Sequence, residues 1–297
     1  MQQVGIKRGA SPEAIQHHYD VGNDFYRLWL DPTLTYSCAL WEKDDSDDML
    51  ERAQRRKIEH HACWSRVPAG GRVLDVGCGW GAVLRHVVEE KGVREAVGLT
   101  LSRHQADWIA SFGHPGIEVR LESWADHTPA RPYDAVISVG AFEHFARSDW
   151  EDPAKVAAYR AFFSRCHDFL KPGGWMSLQT IAYGNLDRRK VRTSSETRFI
   201  VQEIFPESEL PTLEQICQAC DGLFELVLLQ NDREDYARTC RVWADRLRAK
   251  RPEAEAVAGA ATFTRYMRYL KLCAALFHYG QIGLLRIAFR RLDEPRR

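Results

Sequence analysis

From residue 72 onward the chain alternates short apolar runs with longer amphipathic stretches. Six runs, Arg72 to Val76, Ala96 to Leu99, Ile117 to Leu121, Tyr133 to Val139, Trp175 to Thr180 and Phe224 to Gln230, are four to seven residues long and rich in aliphatic side chains, which predicts strands. A seventh strand is expected around Tyr236 to Arg241. The segments between are long enough for crossover helices, so the pattern predicts an α/β fold around a mostly parallel sheet. LKPGGW at 170–175 reads as a helix end turning sharply into a strand.

The flanks have a different texture. Before residue 70, HHYDVGNDFYRLWLDP and LERAQRRKIEHHACWSRV are helical and turn-like, and the acidic EKDDSDDM between them predicts a solvated cap for the second helix rather than a metal site. Residues 181–210 carry polar and basic turns followed by RFIVQEIFPESELP, which suggests a lid or substrate wall. Residues 242–291 predict helix, with Tyr266, Tyr269, Leu270 and Phe277 sharing an apolar face that serves either core packing or the edge of a greasy tunnel. No Gly/Ser/Pro linker divides the 297 residues, so one domain is expected: a helical cap (1–70), a cofactor-binding core (71–180), the lid (181–210) and C-terminal strands and helices (211–297).

A hydrophobic content of 45% predicts a packed core, and the balance of 41 basic against 41 acidic residues argues against a nucleic-acid partner. Basic charge does collect at the end, where Arg286, Arg290, Arg291, Arg296 and Arg297 accompany Leu284, Leu285, Ile287, Ala288 and Phe289. A solvated last helix is the expectation there, with peripheral contact to anionic lipid as the alternative. The start has no apolar signal-peptide centre and no apolar run reaches membrane-spanning length, so a cytoplasmic location is expected. The eight cysteines read as reduced thiols, and Cys217 and Cys220 lack the second close pair of a zinc site. The sequence assigns no oligomeric state.

The chemistry concentrates in VLDVGCGWGAV at 73–83, where Asp75 ends a strand and Gly77, Gly79 and Gly81 follow in the turn. Closely spaced glycines let backbone approach a ligand, and such a turn serves NAD, a flavin or another nucleotide. The spacing is G-x-G-x-G rather than G-x-G-x-x-G, and the second strand runs into VGLTLSRHQ without the acid that would hold an NAD ribose. Thr100, Ser102 and Gln105 offer neutral hydrogen-bonding groups instead. Ser102 reads first as a helix cap, and Gln105 is balanced between cofactor contact and a solvated helix position. Trp124 is suited to stack beside adenine and Trp80 to pack against the cofactor helix, although either also suits the core.

Taken together, HHYDVGNDFYRLWLDPTLTYSCA, VLDVGCGWGAV, VGLTLSRHQ, ISVGAFEHF, LKPGGWMSLQTI, FIVQEIFPESELPT, DYARTCRVW and TFTRYMRYL resemble the cyclopropane-fatty-acid synthase family, in particular its mycolic-acid cyclopropane synthase and methyltransferase branch. The resemblance implies a class I S-adenosylmethionine-dependent methyltransferase fold with a seven-stranded sheet. It implies methyl transfer to an electron-rich acceptor, in the best-known members an alkene carbon of an acyl chain. It places Tyr36, Ser37, Gly77, Gly79, Thr100, Leu101, Gln105 and Trp124 around S-adenosylmethionine. It places Cys38, Glu143 and Tyr236 around a bicarbonate acting as base, with Cys38 contributing through its backbone and not as a nucleophile.

Glu143 and His144 follow an apolar strand in ISVGAFEHF, where the glutamate is able to bind an anion, orient an amine or act as base, and the histidine is expected to support the site. Two departures stand out. The family's LHTI, whose histidine helps to hold bicarbonate, reads LQTI here, leaving Gln179 without a titratable ring. The family's glycines after IFP are replaced by Glu207, Ser208 and Glu209. The expected function is therefore methyl transfer to a hydrophobic small metabolite, walled by Tyr19, Phe25, Tyr36 and Phe142. The alternatives are cyclopropanation or methylation of an unsaturated acyl lipid, and a noncatalytic S-adenosylmethionine or lipid sensor.

Overall fold

The computed structural model describes residues 9–11, 14 and 21–295, so Tyr19, Arg296 and Arg297 lie outside the described residues. The first described helices are α1 (Asn23–Arg27) and α2 (Leu50–Trp64). The acidic run precedes α2, but no side chain caps that helix: Asp45 instead pairs with Arg56 at 2.7 Å and Asp47 with Arg238 at 2.8 Å.

Five strands follow the expected order: β1 (Arg72–Val76), β2 (Glu95–Thr100), β3 (Ile117–Leu121), β4 (Tyr133–Val139) and β5 (Leu170–Tyr183). The crossovers include α3 (Ala82–Glu89), α4 (Arg103–Ala110) and α5 (Asp152–Phe169). Beyond β5 come the lid helices α6 (Arg188–Thr193) and α7 (Ser195–Glu203), then α8 (Leu213–Cys220), whose N-terminus carries a complete capping box between Thr212 and Gln215. The chain ends with β6 (Phe224–Asn231), α9 (Arg233–Ala249), α10 (Arg251–His278, kinked at Gly259) and β7 (Ile282–Arg291). The seven strands lie in the order β3-β2-β1-β4-β5-β7-β6, with β7 antiparallel to both neighbours.

Two sequence expectations are corrected here. The stretch Tyr236 to Arg241 is not a strand but part of α9, and the reason is visible in its burial: Tyr236, Ala237, Cys240, Trp243, Ala244 and Leu247 recur at helical spacing. The seventh strand is instead the C-terminal segment expected as a solvated helix. In β7 the first eight residues, Ile282 to Phe289, are all buried, because the strand is paired on both edges and covered on both faces. A continuous apolar run fits a doubly covered strand and a buried helix equally well, so periodicity alone could not separate them. This segment sits inside the sheet and has no apolar face to offer a lipid surface.

One face of the sheet packs on α5 through Tyr159, Phe162 and Phe163 and on α8 through Ile216 and Ala219, which cluster with Leu178, Ile287 and Phe289. On the other face, Ile58, Leu84 and Ile109 from α2, α3 and α4 close over Val73 and Ala135. A third cluster joins α1, α9 and α10 through Phe25, Trp243 and Tyr266. This third cluster also takes in Trp80 of the glycine turn and Ile282 and Leu284 at the start of β7.

Candidate active site

A cavity of about 590 Å³ opens at the carboxyl ends of β1, β2 and β4. This is where an open α/β sheet reverses its strand order, leaving a crevice beyond the strand ends. Its floor is the glycine turn. Gly77, Gly79 and Gly81 have φ of 78°, 53° and 83°, which L side chains adopt only with strain. A Cβ on Gly77 would lie 2.3 Å from the Ala141 Cβ, so this position excludes a side chain sterically as well. The Gly77 and Cys78 amides both donate to the Leu99 carbonyl at 3.0 Å, locking the turn to the end of β2.

Every residue that the resemblance assigns to the cofactor lines this cavity: Tyr36, Ser37, Gly77, Gly79, Thr100, Leu101, Gln105 and Trp124. Ser102 caps α4 by accepting from the Gln105 amide. Gln105 is not a solvated helix position: it is buried, its Oε1 accepts from Thr100 Oγ1 at 2.7 Å, and its Nε2 has no partner among the described residues. Trp124 packs edge-on against Phe162, while Trp80 donates from Nε1 to Asn23 Oδ1 at 2.8 Å and also lines the cavity.

Four charged residues to which the sequence reading gave no role also line this space, the half-buried Glu122, the exposed Asp126, and the buried Lys57 and Asp75. Lys57 is 1% exposed and donates to Ser37 Oγ at 2.7 Å. Asp75 is 1% exposed and both of its carboxylate oxygens lack a partner among the described residues. Burial drives both toward neutrality, the Lys57 ammonium down to about 7 and the Asp75 carboxyl up to about 7. In sequence the signal for Lys57 is its place beside Gln54, Ile58 and His61 on the buried stripe of α2.

A second cavity, of about 380 Å³, adjoins the first, and the two share Tyr36, Gly140 and His144 in their walls. Its lining is largely apolar, including Phe205, Tyr269, Cys273, Leu276 and Phe277, with Glu143 and Tyr236 as polar members. The lid contributes Val191, Arg192, Arg198 and Ile200, so the segment 181–210 does form a wall. Tyr36 spans the junction and donates its hydroxyl hydrogen to the Tyr269 hydroxyl at 3.0 Å. Tyr236 stacks on Phe277 with ring centroids 4.4 Å apart. Of the four aromatics expected around the acceptor, Tyr36 alone among the described ones lines this cavity. Phe25 belongs to the Trp29 and Tyr266 cluster, and Phe142 is buried against Tyr159 at 4.5 Å, so both are core.

Glu143 and His144 sit on the short turn that follows β4. The Ile181 amide donates to Glu143 Oε1 at 2.5 Å, and Oε2 has no partner among the described residues. Burial pushes this carboxyl up to about 7, opposed by the amide hydrogen bond. His144 is held by Ser208 through Nδ1 at 2.8 Å, and desolvation lowers its imidazole to about 4, which keeps the ring neutral. The changed turn thus anchors the lid to the site. Glu207 pairs with Arg147 at 2.8 Å, and the buried Glu209 accepts from Lys155 at 2.5 Å and from Tyr183 at 2.7 Å.

Cys38 is an electrostatic neighbour of Tyr236, as Glu143 is, and Gln179 faces Arg286. Neither Cys38 nor Gln179 lines either cavity. Gln179 Oε1 accepts from Arg286 Nε at 2.9 Å and lies 3.2 Å from His61 Nε2. Arg286 is entirely buried, pairs with Asp232 and donates to the Ala39 carbonyl at 3.0 Å. The Cys38 thiol donates to the same carbonyl at 3.1 Å, and burial pushes it up to about 12, so it stays protonated. Among the described residues no His, Cys, Asp and Glu group is arranged to hold a metal.

A glycine turn after β1, a crevice at the sheet's switch point and the strand order 3-2-1-4-5-7-6 define a class I S-adenosylmethionine-dependent methyltransferase fold. The cavity fits that cofactor, since it joins a cradle too tight for a Cβ to buried polar atoms still open to a ligand. The family model described as mycolic acid cyclopropane synthetase matches residues 7–287, and the chain belongs to that family. It is similar to cyclopropane mycolic acid synthase MmaA2 of Mycobacterium tuberculosis, at 37% identity over 287 residues that cover 92% of this chain and 94% of that protein. Cyclopropane mycolic acid synthase 3 of the same organism is 37% identical over 279 residues, covering 90% and 92%. The crystal structure of mycolic acid cyclopropane synthase CmaA1 complexed with SAH and CTAB superposes with a TM-score of 0.85 at 34% identity, covering 95% of this chain and 99% of that one. Coclaurine N-methyltransferase, at 18% identity and a TM-score of 0.80 over 97% of this chain and 84% of that one, shares the fold.

Proposed function

We propose that the protein transfers a methyl group from S-adenosylmethionine to a hydrophobic small metabolite, at carbon, nitrogen or oxygen. The observation that carries this reading is the meeting of a polar cofactor cavity and an apolar cavity at Tyr36, Gly140 and His144. Bound S-adenosylmethionine supplies an electrophilic sulfonium methyl. The glycine turn and Gln105 orient the nucleoside end, and the aromatic wall excludes water and holds the acceptor in line, which converts a bimolecular encounter into a positioned one. Glu143, fixed through one oxygen by the Ile181 amide, takes a proton from the acceptor or from the cation that methylation leaves. The neutral His144 orients the turn that bears it.

Cyclopropanation of an unsaturated acyl lipid is the second reading, supported by the similarity to cyclopropane mycolic acid synthases and by the apolar lining. It draws less support from the proposed bicarbonate group, since only Glu143 and Tyr236 of its members line the acceptor cavity while Cys38 and Gln179 are tied to Ala39 and Arg286. Incubation of cell extract with methyl-deuterated S-adenosylmethionine, followed by high-resolution mass spectrometry, separates the readings. A nonlipid product retaining all three deuteriums supports the first. An acyl product that gains one carbon and retains two deuteriums supports ring closure, because a proton from the transferred methyl must leave. Cofactor binding with no labelled product points to a sensor.

A further inference from the structure

Glu207 stands on a backbone that disfavours it. Its φ is 65°, in the left-handed region that glycine enters freely and other L residues enter only with strain. Such a conformation persists where the surroundings hold it, and both carboxylate oxygens of Glu207 are held. Oε2 accepts from the Ser11 amide at 2.8 Å, and Oε1 pairs with Arg147 Nη1 at 2.8 Å. The Ser11 amide first, and then the Ser11 hydroxyl and Arg147, keep this carboxyl below the usual carboxylate range against a smaller effect of desolvation. On one side of this contact, Gly9, Ala10 and Ser11 all line the cofactor cavity. The Ala10 amide donates to the His144 carbonyl at 2.8 Å, and a Cβ on Gly9 would collide with that same oxygen. On the other side, Ser208 and Glu209 line the acceptor cavity and are bound to the turn after β4, Ser208 through His144 Nδ1 and Glu209 through the Glu143 carbonyl. One side chain therefore joins a wall of each cavity.

We propose that Glu207 is a positioning residue that seats residues 9–11 against the cofactor and links that wall to the lid. This assignment rests on the larger cavity being the S-adenosylmethionine site. The wall is fixed at two adjacent amides, Ala10 by the His144 carbonyl and Ser11 by the Glu207 carboxylate. A lid turn drawn away from the turn after β4 carries the carboxylate with it and leaves Ser11 without that anchor. Release of the cofactor is thereby tied to the seating of the acceptor wall. The linkage is reciprocal, so an acceptor that holds the lid turn in place also tightens the hold on the cofactor. Glycine at 207 would relieve the backbone but supplies no carboxylate, and the strain at this position is offset by a contact that only the side chain makes.

Release of tritiated S-adenosylhomocysteine from the full chain, chased with excess unlabelled ligand, tests this beside the melting temperature of the unliganded protein. Glu207→Gly should speed release by roughly tenfold, the loss expected for one hydrogen bond to a charged group, while the unliganded protein melts within about 2 °C of wild type because backbone relief offsets the lost ion pair. Glu207→Gln retains an oxygen for the Ser11 amide and should stay within about threefold of wild type. Ser11→Pro removes the amide hydrogen itself, so it should speed release as Glu207→Gly does, and the double variant should be no faster than either single one. Ser208→Ala loosens the lid turn from His144 and should speed release by about threefold, but not when residue 207 is already glycine. Release within about twofold of wild type in Glu207→Gly, or in Ser11→Pro should the glycine variant fail to fold, overturns the proposal. Effects that multiply in the double variant also overturn it, and unchanged release in Ser208→Ala overturns the link to the lid. Failure of wild type to bind the ligand would instead refute the cofactor site itself.

Discussion

Glu143→Gln separates chemistry from architecture more cleanly than any other single change in this protein. Glutamine keeps an oxygen to accept from the Ile181 amide at 2.5 Å, so the turn after β4 is preserved, and it replaces the unpartnered Oε2 with an amide nitrogen. Glu143 lines the acceptor cavity and not the cofactor cavity, so affinity for S-adenosylhomocysteine should stay within about twofold of wild type, well under the ~1.4 kcal/mol that a tenfold change represents. If the carboxylate is the base, kcat should fall by roughly 10²–10⁴, the usual contribution of a positioned base. Stability supplies a second readout with its own sign. The carboxyl rises from 4.5 in the unfolded chain to about 7 in the fold, so between these values the unfolded chain has lost a proton that the folded chain retains. Wild-type stability therefore declines as pH rises through this window, by at most about 3 kcal/mol at 1.36 kcal/mol per unit. The variant lacks this slope, but its buried amide nitrogen costs about 1–3 kcal/mol at every pH. Relative to wild type, Glu143→Gln should thus gain stability between pH 5 and pH 8, measured as a rise in the difference of melting temperatures. Turnover within threefold of wild type would refute the role of Glu143, and a pH-independent melting difference would refute the account of its burial.

Wild-type turnover should itself fall as pH drops through about 7, following protonation of Glu143, in a pH profile of kcat taken with saturating cofactor. Gly77→Ala forces a methyl to within 2.3 Å of the Ala141 Cβ at a φ of 78°, so melting should show a loss of about 2–4 kcal/mol together with weakened S-adenosylhomocysteine binding. Lys155→Met strands the buried Glu209 carboxylate beneath the lid and should cost about 3–5 kcal/mol, whereas Lys155→Met combined with Glu209→Gln should recover part of that loss in a double-mutant cycle. Cys273→Phe fills the acceptor cavity from α10 and should abolish turnover while calorimetry shows unchanged cofactor affinity; retained turnover would place the acceptor elsewhere.

The polar side chains around the site divide by whether their neighbours are near in sequence. The glycine turn and Ser102 act within a few residues of chain, and their roles are legible from spacing. Gln105 needed the fold, because the reach of Thr100 Oγ1 and the cavity on its other side decide between a solvated helix position and a ligand contact. Gln179 is a larger shift: the resemblance put it at the reaction centre in place of the family's histidine, yet Arg286 and His61, 107 and 118 residues away, claim its oxygen.

The sequence by itself determined the alternation of strands and helices through β5, the strand β6, the glycine cradle with its flanking polar groups, and the family. Each of these is written in local periodicity or in a short motif, and local backbone preferences and alternating burial suffice to express it. Only the tertiary structure decided that the last apolar run is the strand β7, that α9 replaces an expected strand, that Phe25 and Phe142 are core, and that Lys57 and Asp75 share one cavity. Those outcomes depend on which surfaces meet across the sheet. A buried run reads alike in a strand and a helix until its neighbours are known, and which charges end up buried side by side is set only when distant segments close over them.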